Sequence, residues 1–143
     1  MKTETLKSNE IVRDWHLVDA EDKTLGRLAS SIAQILRGKN KVGFSYHLDM
    51  SDFVVVVNAD KINVTGNKEN SKEYWRHTGY PGGQKVVSYK KMSDEKPEKI
   101  IKNAVKGMLP HNKLGRKLLK HLKVYSGSTH PHEAQNPIKI ELG

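Results

Sequence analysis

A long run of cationic and imidazole side chains near the C-terminal end gives the clearest chemical signal in this sequence. No acidic residue lies between Glu98 and Glu133, although the chain contains 16 Asp and Glu residues. Ammonium, guanidinium and imidazolium groups repel one another unless an anion lies opposite them, and nucleic acid is the commonest polyanionic partner. The cations and histidines of this run are Lys99, Lys102, Lys106, His111, Lys113, Arg116, Lys117, Lys120, His121, Lys123, His130 and His132.

Helical periodicity places most of these cations on two amphipathic segments, residues 97–108 and about 112–122, on either side of the helix breaker Pro110. At about 100° per residue, the lysines of each segment share one arc and the apolar side chains lie opposite. Each helix can therefore bury its apolar side and direct a row of cations outward. A single row of this kind is usually a solvated face, and a helix on an anionic membrane surface is a further alternative. Two successive rows favour a polyanion, and the apolar sides carry no Trp or Phe for lipid contact.

Residues 74–85 form a glycine-rich segment with many aromatic and basic side chains. Its glycines would let the backbone approach a phosphate closely, and its rings could stack on unpaired bases. The alternative is a hairpin connection whose rings fold onto the core. The segment contains neither of the nucleotide phosphate-loop motifs. The side chains considered for binding are Tyr74, Trp75, Arg76, His77, Tyr80 and Lys85.

Other reactive groups have more ordinary explanations. The chain has no cysteine, which excludes disulfides and suits a reducing cytoplasm. Asp49 and Asp52, near His47, resemble an acid–base pair, but carboxylates in a turn more often cap a helix or pair with basic neighbours. His-Pro-His-Glu at 130–133 lacks the spacing of a zinc site, so phosphate or backbone contact is favoured. We predict no catalytic residue, metal or cofactor. A strand followed by an acid at 58–60 leaves a nucleotide-dependent α/β hydrolase as the alternative function.

The elements that would position these groups begin with a strand–helix–strand unit. Residues 15–18 and 53–58 predict strands, and the second is an unbroken apolar run typical of a parallel strand buried on both faces. That run is also the longest apolar stretch in the chain, far short of the roughly 20 residues that span a membrane, so we expect no membrane association. Residues 25–36 predict an amphipathic helix that ends at Gly38.

The remaining segments carry weaker patterns. Residues 61–143 hold a net charge of +10, whereas the first 60 residues have a net charge of −1, so the first half predicts a scaffold and the second half the charged surface. At 143 residues the chain is expected to form one domain. The weaker predictions are strands at 62–65, 86–89 and 124–125, a polar arm at 1–13 and an extended tail at 126–143.

Several short motifs follow one another in a recognisable order. They are Asp19-Ala20, Leu25-Gly26-Arg27-Leu28-Ala29, Arg37-Gly38-Lys39-Asn40-Lys41, Thr65-Gly66, Arg76-His77-Thr78-Gly79-Tyr80-Pro81-Gly82-Gly83, Ala104-Val105-Lys106-Gly107-Met108-Leu109-Pro110, Leu114-Gly115-Arg116, Leu122-Lys123-Val124-Tyr125 and His130-Pro131-His132. In this order they resemble the bacterial form of family thirteen of the large-subunit ribosomal proteins, over about residues 15–137. Two positions depart from the family: Tyr46 replaces a proline, and the turn at 49–52 lacks a glycine.

The resemblance implies an α/β fold in three layers, α/β/α, on a small and mostly parallel sheet of about four strands, with basic C-terminal helices. It implies binding to large-subunit ribosomal RNA early in subunit assembly, without catalysis, in the cytoplasm and within the ribosome. It also implies contact with neighbouring ribosomal proteins and suggests binding to the protein's own messenger RNA; we expect no homo-oligomer. The RNA contacts that we predict are Arg27, Lys39, Lys41, Arg76, His77, Tyr80, Lys85, Lys99, Lys102, Lys106, Lys113, Arg116, Lys117, Lys120, Lys123, His130 and His132.

Overall fold

The computed structural model describes residues 13–38, 41, 49, 51–65 and 71–142. The expected polar arm, except for Arg13, therefore lies outside the described residues. Lys39 and His47 lie outside them as well.

The predicted strand–helix–strand unit is confirmed. The strands β1 (Trp15–Asp19) and β2 (Phe53–Val57) are parallel, and α1 (Leu25–Arg37) connects them. Helix α1 ends at Gly38, which has a φ of 78° and donates its backbone N–H to carbonyls of the last turn. Glycine adopts this left-handed conformation without steric cost, which is why the helix ends where the sequence predicted.

Two short strands complete a four-stranded sheet in the order β5-β2-β1-β6. Strand β5 (Leu122–Val124) pairs with β2, β6 (Ile138–Lys139) pairs with β1, and all three pairings are parallel. This confirms the predicted α/β fold and sheet. The tail, however, is more regular than expected: a 3-10 turn at Glu133–Gln135 leads into β6, and the Ile140 N–H donates to the Leu17 carbonyl at 2.9 Å. A two-residue strand is too short to leave a periodic pattern in the sequence.

Three helices pack together against one face of this sheet. Helix α1 contacts α3 (Pro97–Met108) and α4 (Lys113–Leu119), and their apolar sides share one core cluster with Val54 and Val56. A short helix, α2 (Tyr89–Glu95), precedes α3 in the chain. The bounds of α3 are those predicted, whereas α4 is shorter because the chain turns directly into β5. Val55 points to the other face and is also fully buried, as expected for an interior parallel strand.

Aromatic and imidazole rings cover that second face. Trp15 stacks on Phe53 with ring centroids 4.4 Å apart, and Phe53 lies 4.6 Å from His121. His132 of the tail contacts both Trp15 and Tyr125. We call these five residues the ring cluster. The expected α/β/α arrangement has a helical layer on each face of the sheet. Among the described residues, helices cover one face, and the ring cluster lies on the other.

A separate antiparallel hairpin follows the first half of the chain. Its strands are β3 (Glu73–His77) and β4 (Gln84–Ser88), and α2 (Tyr89–Glu95) follows directly. The sequence did not predict β3 or α2, and residues 74–77 belong to a strand rather than a loop. Most side chains of this hairpin are exposed, so its strands lack the apolar alternation from which a strand is recognised.

The two weaker strand predictions nearby had different outcomes. The strand predicted at 86–89 is β4, displaced toward the N-terminus because Tyr89 begins α2 and is buried. The strand predicted at 62–65 is wrong, because this segment makes only an isolated parallel bridge between Asn63 and Thr24.

Candidate nucleic-acid interface

A groove of about 880 Å³ lies between the β3–β4 hairpin and helices α2 and α3. Among the described residues, its walls carry one carboxylate, that of Glu95, and six cations, which come from β3, α2, α3 and the junction between the two helices. Tyr74, Val87 and Leu119 supply apolar surface, and Trp75 borders it. We call it the cationic groove; its cations are Arg76, Lys91, Lys96, Lys99, Lys102 and Lys106.

Helix α3 supplies half of these cations because of its amphipathic pattern. Ile100, Ile101 and Val105 are fully buried in the core. Lys99, Lys102 and Lys106, on the other side of the helix, are exposed as the sequence predicted, and they line the groove. Pro97 at the first turn fixes the helix start with a preset φ. Burial of one side thus determines where the cations of the other side point.

The cations of the groove lie close enough to disturb one another. The pKa of Lys99 is lowered, chiefly by the positive charge of Lys96 and further by that of Arg76, while Glu98 acts in the opposite direction. Arg76 also lies directly opposite Lys85 in the hairpin, and like charges at such a position are destabilising. An anion in the groove would relieve this repulsion, so the arrangement suits a phosphate-bearing ligand.

The aromatic side chains of the hairpin divide into two kinds. Trp75 and Tyr80 are 62% and 76% exposed. Tyr74 packs against the core cluster, and burial raises the pKa of its hydroxyl. For Tyr74 the alternative interpretation, a ring folded onto the core, is therefore the correct one. His77, an exposed predicted contact, accepts a hydrogen bond at Nδ1 from the Gly79 N–H at 2.9 Å.

Helix α4 extends the basic surface beyond the groove. A cleft of about 190 Å³ is lined by both Lys106 and Arg116, so the two helices meet there. The side chain of Asn112 caps α4 by accepting from the Gly115 N–H at 2.9 Å. Gly115 also packs closely against Pro110, because an added Cβ on Gly115 would lie 1.7 Å from the Pro110 carbonyl oxygen. Lys113 and Lys117 of α4 and Lys120 directly after it are the other predicted cations here, and all three are exposed.

Three predicted contacts lie at the ring cluster rather than in the groove. The charge of Lys123 acts on both His121 and His132. Nε2 of His132 hydrogen-bonds with the Tyr125 hydroxyl at 2.6 Å, and His130 stacks on His132. Burial, followed by the charges of His130 and Lys123, lowers the pKa of His132. These imidazoles thus help to hold the tail on the sheet.

Lys41 is engaged within the protein, and Arg27 lies at a different surface. The Nζ of Lys41 is 2.8 Å from the Asp52 carboxylate, which also contacts His16 at 2.9 Å. Arg27 is exposed on α1 and lines a cleft of about 590 Å³ with Lys72. Arg27 and Lys41, both predicted contacts, therefore have different surroundings, and Lys39 lies outside the described residues.

Asp49 and Asp52 pair with basic neighbours, as the ordinary explanation of these carboxylates predicted. Asp49 lies 3.1 Å from Arg13, and the Ser51 hydroxyl hydrogen-bonds with both Asp49 and Nδ1 of His121. Burial acts to raise the pKa of Asp49, but hydrogen bonds from Ser51 and Arg13 hold it below its ordinary value. Burial lowers the pKa of His121, and the charge of Asp49 opposes this. Among the described residues, no group of three or more His, Cys, Asp or Glu side chains could hold a metal ion.

Sequence reasoning missed two cations of the groove, Lys91 and Lys96. They lie among Asp94 and Glu95, so a search for runs without acidic residues passed over them. Trp75 was considered for stacking but was not among the predicted contacts.

Comparison with known proteins decides the family. The family model of ribosomal protein L13 matches residues 13–131. The chain belongs to this family. A relative from Chromohalobacter salexigens is 54% identical over 142 residues, which are 99% of this chain and 100% of the relative. One from Prochlorococcus marinus subsp. pastoris is 59% identical over 139 residues, 97% of each chain. Both carry the name large ribosomal subunit protein uL13.

Family membership confirms the resemblance read from the motifs. Members of the ribosomal protein L13 family are structural proteins and not enzymes, so the hydrolase alternative is set aside. In the part of the chain that the structure describes, no helix is long and apolar enough to cross a membrane.

Proposed function

We propose that this protein is a structural constituent of the large ribosomal subunit and binds large-subunit ribosomal RNA through the cationic groove and helix α4. Relatives that match nearly the whole chain carry the name of a large-subunit protein. The observation that supports RNA binding most directly is the groove itself, whose described lining contains six cations and one carboxylate.

The cations would act mainly by neutralising phosphates. Contacts to phosphate position a protein on RNA and carry little sequence information. The groove and α4 would therefore hold the protein in place, while the exposed hairpin, with Arg76, His77, Tyr80 and Lys85, would contact irregular RNA. Lys123, His130 and His132 would contribute only where RNA reaches the ring cluster.

The remaining parts of the proposal follow from the family resemblance. We propose that the protein acts in the cytoplasm, within the ribosome, and binds early in assembly of the large subunit. Neighbouring ribosomal proteins are its protein partners, its own messenger RNA is a second RNA partner, and it does not form homo-oligomers.

The charges at the carboxyl edge of the parallel sheet provide a contrast to the groove. There Lys23 pairs with Glu141 at 3.4 Å and Lys61 with Glu21 at 3.7 Å. Lys139 lies close enough to lower the pKa of Asp19, after hydrogen bonds from Asn58 and Glu21. This edge thus balances its charges internally, and its lysines make a matched control for those of the groove.

The test replaces Lys99, Lys102 and Lys106 together by Gln and measures binding to a large-subunit ribosomal RNA transcript at several salt concentrations. Affinity should fall, and the slope of log affinity against log salt should become shallower by about 2 to 3, since each neutralised phosphate contributes about 0.7 to 0.9. Replacing Lys113, Arg116, Lys117 and Lys120 by Gln should act in the same direction.

The control replaces Lys23, Lys61 and Lys139 by Gln, which removes the same charge from the carboxyl edge of the sheet. It should leave affinity and salt slope close to those of the unchanged protein. Equal losses in the groove and control variants would mean that only net charge matters, and an unchanged groove variant would move the interface elsewhere.

A further inference from the structure

The β3–β4 hairpin has two faces of different chemistry. Tyr74 and Val87 are directly paired across the strands, and Tyr74 packs against the core cluster. Successive side chains of a strand point to opposite faces. The neighbouring pair, Trp75 and Val86, therefore lies on the outer face, where these side chains are 62% and 46% exposed.

Neither side chain of this pair is buried by the described part of the chain. No ring of the described residues stacks on Trp75, whereas the other tryptophan, Trp15, is stacked on Phe53. Such a pair offers a flat apolar surface that gains from being covered, since the indole is the largest apolar side chain.

The surroundings of the pair indicate what covers it. Trp75 borders the cationic groove, and Arg76 on the adjoining position points to the groove side. A ligand that spans both surfaces must combine a planar apolar group with negative charge a few ångströms away. An unpaired nucleotide has this composition, with a base to stack and phosphates on either side of it. An apolar protein segment would satisfy the indole but not the cations.

We propose that Trp75 and Val86 form a stacking platform for an unpaired RNA base whose flanking phosphates lie in the cationic groove. The inference rests on the proposed function and names the form of RNA that the groove accepts: single-stranded or bulged, not fully paired. Because every base has a π-face, the platform tolerates any base and reads the absence of pairing rather than a sequence.

The first test uses the fluorescence of Trp75 in the otherwise unchanged chain carrying Trp15→Phe, which keeps an aromatic ring on Phe53. Three probes are compared: oligoadenylate RNA, blunt duplex RNA, and inorganic polyphosphate, which has charge without bases. Stacking should make oligoadenylate quench the indole emission more strongly than the other two at equal occupancy. Equal quenching by polyphosphate, or none by oligoadenylate, would overturn the platform; the latter is the outcome expected if a protein covers Trp75.

The second test compares Trp75→Leu with Trp75→Phe. Leucine keeps apolar area but not the ring, so the affinity for oligoadenylate should fall by roughly 5- to 150-fold while phenylalanine retains most of it. Polyphosphate binding should be the same in both. The stacking platform, but not the proposed function, would be overturned by either of two results. One is a Leu variant that binds oligoadenylate as tightly as the unchanged protein does, and the other is a Leu variant whose affinity for polyphosphate falls as much as its affinity for oligoadenylate. Failure of the unchanged protein to bind ribosomal RNA at all would overturn the proposed function itself.

Discussion

The guanidinium of Arg13 lies 3.1 Å from the carboxylate of Asp49, across 36 positions of sequence. The same guanidinium donates to the backbone carbonyls of Asp49 and Ser51, both at 2.8 Å. Arg13 precedes β1 and Ser51 precedes β2, so one side chain joins the entrances of two neighbouring parallel strands. The Asp49 side chain is only 7% exposed, so its charge depends on the hydrogen bonds from Ser51 and Arg13.

Loss of that partner should destabilise the fold. Arg13→Met leaves the Asp49 carboxylate buried without its guanidinium, and we expect the free energy of unfolding in urea to fall by about 1–3 kcal/mol. Arg116→Met, at an exposed arginine of α4, should change it far less. In the double variant with Asp49→Asn the loss should be smaller than the sum of the single losses. Additive losses would show that the two side chains are not coupled.

Stability should decline in acid because of Asp49 and Asp52. Burial acts to raise the pKa of Asp52, but hydrogen bonds from Lys41 and His16 hold it below its ordinary value, and hydrogen bonds from Ser51 and Arg13 likewise lower the pKa of Asp49. The unfolded chain then binds more protons, so the stabilisation is present above about pH 4 and is lost as pH falls through the lowered folded pKa. Between about pH 6 and about pH 3, the free energy of unfolding in urea should decline less steeply for Asp52→Asn than for the unchanged protein. The exposed Asp94→Asn should leave the decline unchanged, and equal effects would exclude this origin.

Two glycine substitutions in neighbouring helices should have opposite signs. Gly115→Ala would place its Cβ 1.7 Å from the Pro110 carbonyl oxygen, so the start of α4 must shift, and we expect a loss of about 1–3 kcal/mol. Gly107→Ala, in the last turns of α3, has no atom within 4 Å of its Cβ and should stabilise by up to about 1 kcal/mol through helix propensity. Thermal unfolding measures both. A neutral Gly115→Ala would contradict the close packing of α4 on Pro110.

The cross-strand pair of Arg76 and Lys85 predicts a conflict between stability and binding. Lys85→Glu converts a like-charged pair into an opposite-charged one and should stabilise the hairpin by about 0.2–1 kcal/mol. The same change should weaken RNA binding, because a carboxylate then faces the phosphates. Lys90→Glu, on α2 outside the groove lining, makes the same charge change without the cross-strand partner. If Lys85→Glu raises both the stability and the RNA affinity, or raises neither, the like-charged pair does not serve ligand binding at the expense of stability.

Elements with a strong local period were predictable from the sequence. The bounds of α3 follow from isoleucine and valine side chains at helical spacing, and β2 from its unbroken apolar run. The hairpin was not predictable in the same way. Tyr74 and Trp75 are adjacent aromatic residues, yet one packs on the core and the other is exposed, because alternate side chains of a strand face opposite directions.

The site was predictable only as a set of cations, not as a place. Arg76 acts on Lys99 although 23 positions separate them in the sequence, and Lys96 joins them from a segment that carries acidic residues. Conversely, Lys41 belongs to the predicted set but pairs with Asp52. Folding decides which cations pair with a carboxylate and which remain available to a ligand. The sequence gives the charges but not the distances between them in the folded protein.

By itself, the sequence determined the family, the buried sides of the helices and the excess of positive charge in the second half. These properties depend on residue type and on spacing within a single helix or strand, where the backbone period fixes which side chains share a face. The tertiary structure alone decided that cations of three elements meet in one groove, that a two-residue strand completes the sheet, and that one of two neighbouring aromatic rings stays exposed. Those outcomes depend on packing between distant segments, and packing is determined by the shape of the whole core.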